Sequence, residues 1–161
     1  PRAGVSGRYP VIPPVELPVI QTTVFVVCPL TFYRQRTSRT LPKVLRDGLV
    51  FKDEDGQVIF NQHSFCELVK HLLVELVGIS YEEASQIVDR SPLAEPVADA
   101  VGVAIFSHDL PYYWAMFFYY GNGYWLGDKG IPAQPEDMDA YETLENKIME
   151  KYHLKEPFIW T

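Results

Sequence analysis

Hydrophobic and polar positions follow two different periods along the 161-residue chain. Between residues 20 and 60 the apolar positions fall in short, β-branched runs, whereas from Asn61 onward they recur every three or four residues. The first pattern is typical of β-strands and the second of amphipathic helices. The sequence therefore predicts an α+β fold that is mainly α-helical from residue 61 onward.

Strands are predicted in two places. The β-branched run at residues 20–28 (IQTTVFVVC) predicts one strand, and residues 49–60 predict a β-hairpin around an Asp-Glu-Asp-Gly turn. Residues 1–19 contain five prolines, which favour an extended arm because proline fixes φ and lacks an N–H. We therefore assign residues 20–161 to a single globular domain.

Four helices are predicted in addition to the aromatic segment Pro111–Trp125. The first spans Phe65 to Val77, with Asn61 or a Ser64-x-x-Glu67 capping box near its start and Gly78 after its end. A second begins at the capping box Ser80-x-x-Glu83 and stops at Ser91-Pro92, and a third starts at Pro96. The last follows Pro135, and the apolar tail 157–160 is expected to pack back on the domain. The apolar stripe of this last helix comprises Met138, Tyr141, Leu144, Ile148 and Tyr152.

The segment Pro111–Trp125 carries nine aromatic residues. Pro111 suits the first turn of a helix and Gly121 suits its end, so residues 111–120 predict a buried helix. A hairpin through Gly121-Asn122-Gly123 is the open alternative. Trp114, Phe117 and Phe118 are predicted to lie in the core. Because Tyr and Trp lead the residues that anchor interfaces, the predicted binding residues are Tyr112, Tyr113, Tyr124 and Trp125.

The net charge of −7 is unevenly distributed. Residues 1–46 hold seven basic side chains and one acidic, a balance of +6, and residues 47–161 have a balance of −13. The basic residues either lie on the acidic part of the same chain or contact an anionic partner. A nucleic-acid binder that uses Arg34, Arg36, Arg39, Lys43 and Arg46 is therefore one alternative function.

The sequence from the first predicted helix through Gly78-Ile79-Ser80 into the second has the spacing of a helix-turn-helix. The second helix begins with Glu82 and Glu83, which would repel DNA phosphates. We therefore interpret this segment as a packing corner, and direct nucleic-acid binding through it is not expected.

The chemistry-bearing side chains form no complete catalytic or metal set. His108 beside Asp109 could serve as a general base and supports an alternative function as a small hydrolase or transferase. His63 and His71 are eight residues apart, too far for one ion, and Cys66 is placed at the rim of the apolar stripe. No metal and no cofactor are predicted.

Two cysteines without metal-ligand spacing, no membrane-length apolar run and no signal peptide favour a cytoplasmic protein. The run Glu82-Glu83-Ala84, Ile87-Val88 and Ser91-Pro92-Leu93, followed by His108 and Pro111–Ala115, resembles small uncharacterised bacterial domains of mobile-element or prophage type. The resemblance spans about residues 80–115 and implies no activity and no functional residue.

An acidic body, surplus Tyr and Trp and an incomplete catalytic set lead to one main functional prediction. The protein is expected to be a non-enzymatic protein-interaction module of accessory, immunity or inhibitor type. Its expected partner is another protein of basic or nucleic-acid-binding type, since acidic surfaces steer basic partners, and no membrane contact is expected.

Overall fold

The apolar runs of residues 49–60 form the hairpin that their pattern predicts. A computed structural model describes residues 44–52, 56–127 and 130–161. Strand β1 (Leu49–Lys52) pairs antiparallel with β2 (Gln57–Phe60), with Leu49 opposite Phe60. The arm at residues 1–19, the strand at residues 20–28 and the basic residues before Arg46 lie outside the described residues, and these remain predictions.

The tail of the chain supplies the third strand. Strand β3 (Phe158–Trp160) pairs antiparallel with β2, which gives the order β1-β2-β3. The prediction that the tail packs back on the domain is confirmed, but its strand was not predicted. Three residues are too few for an alternating pattern, and only their pairing with β2 defines the strand.

Helices dominate the chain after residue 61, which confirms the predicted α+β class. Their bounds are α1 (Gln62–Leu72), α2 (Tyr81–Asp89), α3 (Ala100–Ser107), α4 (Pro111–Tyr120) and α5 (Met138–Lys151). A π-helical turn, Leu73–Val77, extends α1 to Gly78, whose φ of +88° suits a glycine. A 3₁₀ turn, Pro92–Ala94, follows α2.

The caps of α1 differ from those predicted. Asn61 makes no capping bond; its Oδ1 accepts from the Gly48 N–H at 2.8 Å and its Nδ2 donates to the Glu156 carbonyl at 2.6 Å. Ser64 is buried inside α1, where its Oγ donates to Asp47 at 2.8 Å and accepts from the Lys155 N–H at 3.0 Å. Both polar side chains join distant parts of the chain, which local spacing cannot indicate.

Helices α2, α3 and α5 each begin at a side-chain hydrogen-bond acceptor. The Ser80 hydroxyl accepts from the Glu83 N–H at 3.2 Å, as the capping box predicts. The third helix begins at Ala100 rather than Pro96, because Asp99 accepts from the Gly102 N–H at 2.9 Å. Asp137 caps α5 in the same way through the Ala140 N–H.

Helix α1 lies at the centre of the hydrophobic core. It packs against α2, α4 and α5, and its fully buried side chains include Phe65, Leu68 and Leu72. The stacked rings of Phe60 and Phe158, 5.2 Å apart, join the sheet to the edge of Phe65. The described residues belong to one compact unit. Within these residues no helix has the length and apolar character needed to cross a membrane.

Candidate contact surface on the aromatic helix

The aromatic segment contains a helix, not the alternative hairpin. Pro111 occupies the first turn of α4, and Gly121 ends it with a φ of +86° and an N–H bond to the Phe117 carbonyl at 2.9 Å. Its inner side, Tyr112, Ala115 and Met116, is buried in the core. The remaining aromatic side chains of α4 are half-buried.

Tyr112 was predicted on the contact surface, and the structure places it in the core, with 1% of its surface exposed. Its hydroxyl donates to the Pro132 carbonyl at 3.1 Å, and its backbone N–H donates to the Tyr141 hydroxyl at 3.1 Å. Burial, reinforced by Glu145, raises the pKa of Tyr141. Because Tyr112 has a hydrogen-bond partner for its hydroxyl, burying its ring has little polar cost.

The prediction that Tyr124 lies on the contact surface is wrong for the same reason. It is 2% exposed, and its hydroxyl donates to the Ala133 carbonyl at 2.9 Å. The chain after α4 therefore supplies carbonyl acceptors to both tyrosines. Of the four predicted binding residues, Tyr113 and Trp125 remain near solvent, half-buried and 39% exposed respectively.

The prediction that Trp114, Phe117 and Phe118 lie in the core holds only in part. The three side chains pack against the edge of the core but stay half-buried. Trp114 donates its indole N–H to the Phe106 carbonyl at 3.1 Å, so its polar atom is satisfied while its ring stays partly open. The periodicity could not separate the two sides of α4, because apolar residues occupy both.

These rings make one continuous surface, called here the aromatic surface. Tyr113 stacks on Phe117 with centroids 5.8 Å apart, Trp114 lies 5.8 Å from Phe118, and Trp125 lies 6.2 Å from Tyr113. Residues 110–127 contain no charged side chain, and Leu126 beside Trp125 is 79% exposed. The members of the aromatic surface are Tyr113, Trp114, Phe117, Phe118 and Trp125.

The geometry of the aromatic surface suits contact rather than catalysis. Its polar atoms are a tyrosine hydroxyl and two indole N–H groups, and none of its members is an acid, an imidazole or a thiol. A surface helix normally turns charged and polar residues outward. Helix α4 instead leaves the four aromatic rings of this surface only half-buried, and the part that stays open would be covered by contact with a partner.

His108 and Asp109, the catalytic candidates, lie on the surface before α4. The His108 Nδ1 and the Asp109 Oδ1 are 3.5 Å apart, with 83% and 43% of the two side chains exposed. His108 directly follows the last residue of α3. Leu110 precedes α4 and makes no side-chain capping bond. Both side chains are therefore open to solvent rather than enclosed.

A charged cluster between α1 and α2 was not predicted from the sequence. The Lys70 ammonium, 7% exposed, lies 3.0 Å from both a Glu67 oxygen and an Asp89 oxygen. The second Glu67 oxygen accepts from the Tyr81 hydroxyl at 2.6 Å. Glu67 and Lys70 are three residues apart on one helix, a signal that spacing alone could have given. The cluster holds α2 against α1.

His71 and Cys66 are both more buried than their predicted positions. The His71 ring stacks between Tyr152, 3.5 Å away, and Tyr81, 5.1 Å away, and burial lowers its pKa. Cys66 is fully buried, and burial raises the pKa of its thiol to about 12. His63 is exposed, so the structure does not bring these three residues together. Nowhere in the described ranges do three His, Cys, Asp or Glu side chains converge as metal ligands would.

Comparison with family models, curated proteins and solved structures finds no match. The resemblance of residues 80–115 to mobile-element or prophage domains therefore remains a prediction.

Proposed function

We propose that this protein is a non-enzymatic protein-interaction module of accessory, immunity or inhibitor type that binds its partner through the aromatic surface. The observation that carries the proposal is the outward side of α4, where four aromatic rings lie half-open in a chain segment without charge. Aromatic residues on a rigid helix lose little conformational freedom on binding, and Trp and Tyr are enriched among interface residues that dominate affinity.

The charges around the aromatic surface favour a basic partner. The described residues carry sixteen acidic and seven basic side chains, a balance of −9. Burial, reinforced by the charge of Glu83, raises the pKa of the Tyr119 hydroxyl on α4, and Asp109 precedes the helix. The partner segment is therefore one with an apolar face and flanking lysine or arginine residues.

A protein partner fits these observations better than a membrane. Anionic lipid surfaces repel an acidic domain, whereas they attract basic segments. The rings of the aromatic surface also pack against one another, with centroids 5.3–6.3 Å apart, and do not project singly, a geometry suited to a shaped protein surface. Flotation with lipid vesicles distinguishes lipid binding from binding to a protein.

The test compares partner capture by matched variants. The full chain, Phe117→Ser, Trp125→Ala and the control Trp160→Ala are used to capture proteins from a lysate of the source organism at low and high salt. Trp160 is 52% exposed on β3 and lies outside the aromatic surface, so it controls for loss of an exposed indole. Circular dichroism and thermal unfolding establish that each variant is folded.

We expect one protein to be captured by the full chain and by Trp160→Ala, and lost with Phe117→Ser and Trp125→Ala. The captured protein is then purified, and its dissociation constant should rise at least about tenfold in both aromatic-surface variants. Equal affinity for all four proteins would contradict the proposal. Flotation with phosphatidylcholine vesicles that depends on Trp125 would contradict it as well, in favour of a lipid surface.

A further inference from the structure

His71 is a titratable side chain held inside a stack of aromatic rings. The centroid of its imidazole lies 3.5 Å from that of the Tyr152 ring, with 9° between the two planes, and 5.1 Å from that of the Tyr81 ring, with 27° between them. Only 9% of His71 is exposed, whereas Tyr152 and Tyr81 are 39% and 44% exposed. Two phenol rings at the surface therefore shield the imidazole from water.

This stack joins three helices. His71 lies in the last turn of α1, Tyr81 is the first residue of α2, and Tyr152 is the residue that ends α5. Stacked rings gain contact area only while their planes stay aligned. The position of the end of α5 therefore depends on the imidazole remaining between the two tyrosines.

The end of α5 is a tight turn with an uncommon backbone conformation. The Tyr152 N–H donates to the Ile148 carbonyl at 3.1 Å, and the Leu154 N–H donates to the Met149 carbonyl at 2.9 Å. Between them, His153 has a φ of +54°, a region that residues other than glycine seldom adopt. A turn of this kind persists only where contacts with the rest of the molecule hold it, and the stack on His71 is such a contact.

Two carboxylates lie near His71 and favour its protonation, Glu67 on α1 and Glu75 on the π-helical turn. Both oxygens of Glu67 are already engaged, one with the Lys70 ammonium at 3.0 Å and the other with the Tyr81 hydroxyl of α2 at 2.6 Å. Glu75 is exposed, so water weakens its attraction for a charged imidazole. Neither carboxylate is placed to stabilise an imidazolium fully.

Two ammonium groups oppose protonation of His71, Lys70 on α1 and Lys151 on α5. The Lys151 ammonium lies 4.9 Å from the centroid of the Tyr152 ring, the same ring on which the imidazole stacks. A proton on His71 would place a third positive charge beside these two in a site with little water. Burial first, and then the two ammonium groups, outweigh the carboxylates and lower the pKa of His71.

We propose that His71 is a pH-sensitive switch that holds the end of α5 against α1 and α2 at neutral pH and releases it on acidification. The neutral imidazole is accommodated between the tyrosine rings, whereas the protonated imidazole is stabilised by water once the stack opens. None of the residues in the stack belongs to the aromatic surface, so this proposal is independent of the proposed function.

The pH range of the switch follows from the linkage between protonation and opening. In the open form His71 has its ordinary pKa of about 6.5, and in the closed form its pKa is lower. The closed form is therefore fully stabilised above about pH 6.5 and loses stability as the pH falls from there toward the lower pKa. At pH 5.5 roughly nine-tenths of open-form imidazoles are protonated, which limits the increase in the open-to-closed ratio to about tenfold.

Amide hydrogen exchange at pH 7.5 and pH 5.5, expressed as protection factors, tests the switch in the full chain. We expect protection of the Tyr152 and Leu154 amides to be lower than that of Leu68 in the core and to fall about three- to tenfold at pH 5.5. His71→Phe keeps an uncharged ring in the stack and should show no such fall. His63→Phe, the matched control at an exposed position of the same helix, should respond as the full chain does.

An NMR titration of the imidazole signals keeps the test decisive if His71→Phe fails to fold. The titration midpoint of His71 should lie below 6.5 in the full chain and rise toward 6.5 in Tyr152→Ala, which uncovers one side of the imidazole. A midpoint at or above 6.5 in the full chain, or an unchanged midpoint in Tyr152→Ala, would overturn the proposal. Equal protection factors at the two pH values, the same fall in His71→Phe, or protection of Tyr152 equal to that of Leu68 would overturn it as well.

Discussion

At the level of single residues, burial and not identity decided what each reactive side chain can do. Cys66 lies in the core, with its Sγ 3.6 Å from the Leu93 carbonyl, and burial raises the pKa of the thiol to about 12. The nucleophilic species is the thiolate, so this cysteine is held in its unreactive form. A sequence pattern could place Cys66 near the apolar stripe of α1 but could not give its exposure.

This arrangement makes the reactivity of Cys66 a sensitive probe of folding. The variant Cys28→Ser leaves Cys66 as the single thiol of the chain. We expect its alkylation by iodoacetamide at pH 8 to be at least about a thousandfold slower in the native protein than in urea, because both access and ionisation are suppressed. Mass spectrometry of timed samples measures both rates. Rates within tenfold of each other would show that the thiol is not buried.

Tyrosine positions show the limit of residue-scale prediction. Tyr112 and Tyr113 are neighbours in the same uncharged helix, yet one is buried and the other lies on the aromatic surface. A tyrosine can be buried when an acceptor lies within reach of its hydroxyl. For Tyr112 that acceptor is the Pro132 carbonyl, twenty residues away, which no local pattern could provide.

At the level of elements, local chemistry predicted most helix ends. Gly78, Ser80, Pro111 and Gly121 each stand where a cap or a first-turn residue is needed. Two exceptions, Asn61 and Ser64, are polar residues whose side chains bond to distant segments, and a third is Pro96, since α3 begins at Ala100 after the cap Asp99. Capping rules therefore hold where the helix end lies at the surface and fail where tertiary contacts use the same side chain.

Gly78 gives a quantitative test at this scale. Its φ is +88° and no atom lies within 4 Å of an added Cβ, so Gly78→Ala changes the backbone energy without a clash. We expect the free energy of unfolding to fall by about 1–2 kcal/mol, because an L-residue is disfavoured in the left-handed region. Urea denaturation at 25 °C measures the change.

The control for this prediction is Gly127→Ala. The space around Gly127 is equally open, but its φ lies outside the left-handed region. We expect its effect to stay below about 0.5 kcal/mol. Equal losses for the two variants would mean that the backbone conformation at Gly78 is not the cause.

At the level of the whole molecule, the tail closes the fold on its first hairpin. Strand β3 joins β2 almost a hundred residues later in the chain, and the Phe158 ring stacks on Phe60 while Ile159 faces outward, 39% exposed. Pairing two strands that lie so far apart in the chain costs conformational entropy. Contacts between side chains at the β2–β3 junction must therefore contribute enough stability to offset this cost.

Adjacent substitutions on β3 separate the two faces of the sheet. We expect Phe158→Ala to lower the free energy of unfolding by about 2–3 kcal/mol, because it opens a gap against Phe60 and Phe65. Ile159→Ala should cost less than about 1 kcal/mol. Chemical denaturation monitored by tryptophan fluorescence compares them. A larger loss for Ile159→Ala would indicate that the outer face of the sheet is covered.

The sequence by itself determined the class of the fold, the hairpin, the positions of most helices and the aromatic character of α4, because periodicity and capping are local properties of the chain. The tertiary structure decided which side of α4 is open, where β3 pairs, and that His71 and Cys66 are buried. An element whose residues are apolar on every side carries no local signal of direction. Its exposure is decided by the elements and carbonyl acceptors that distant parts of the chain bring to it.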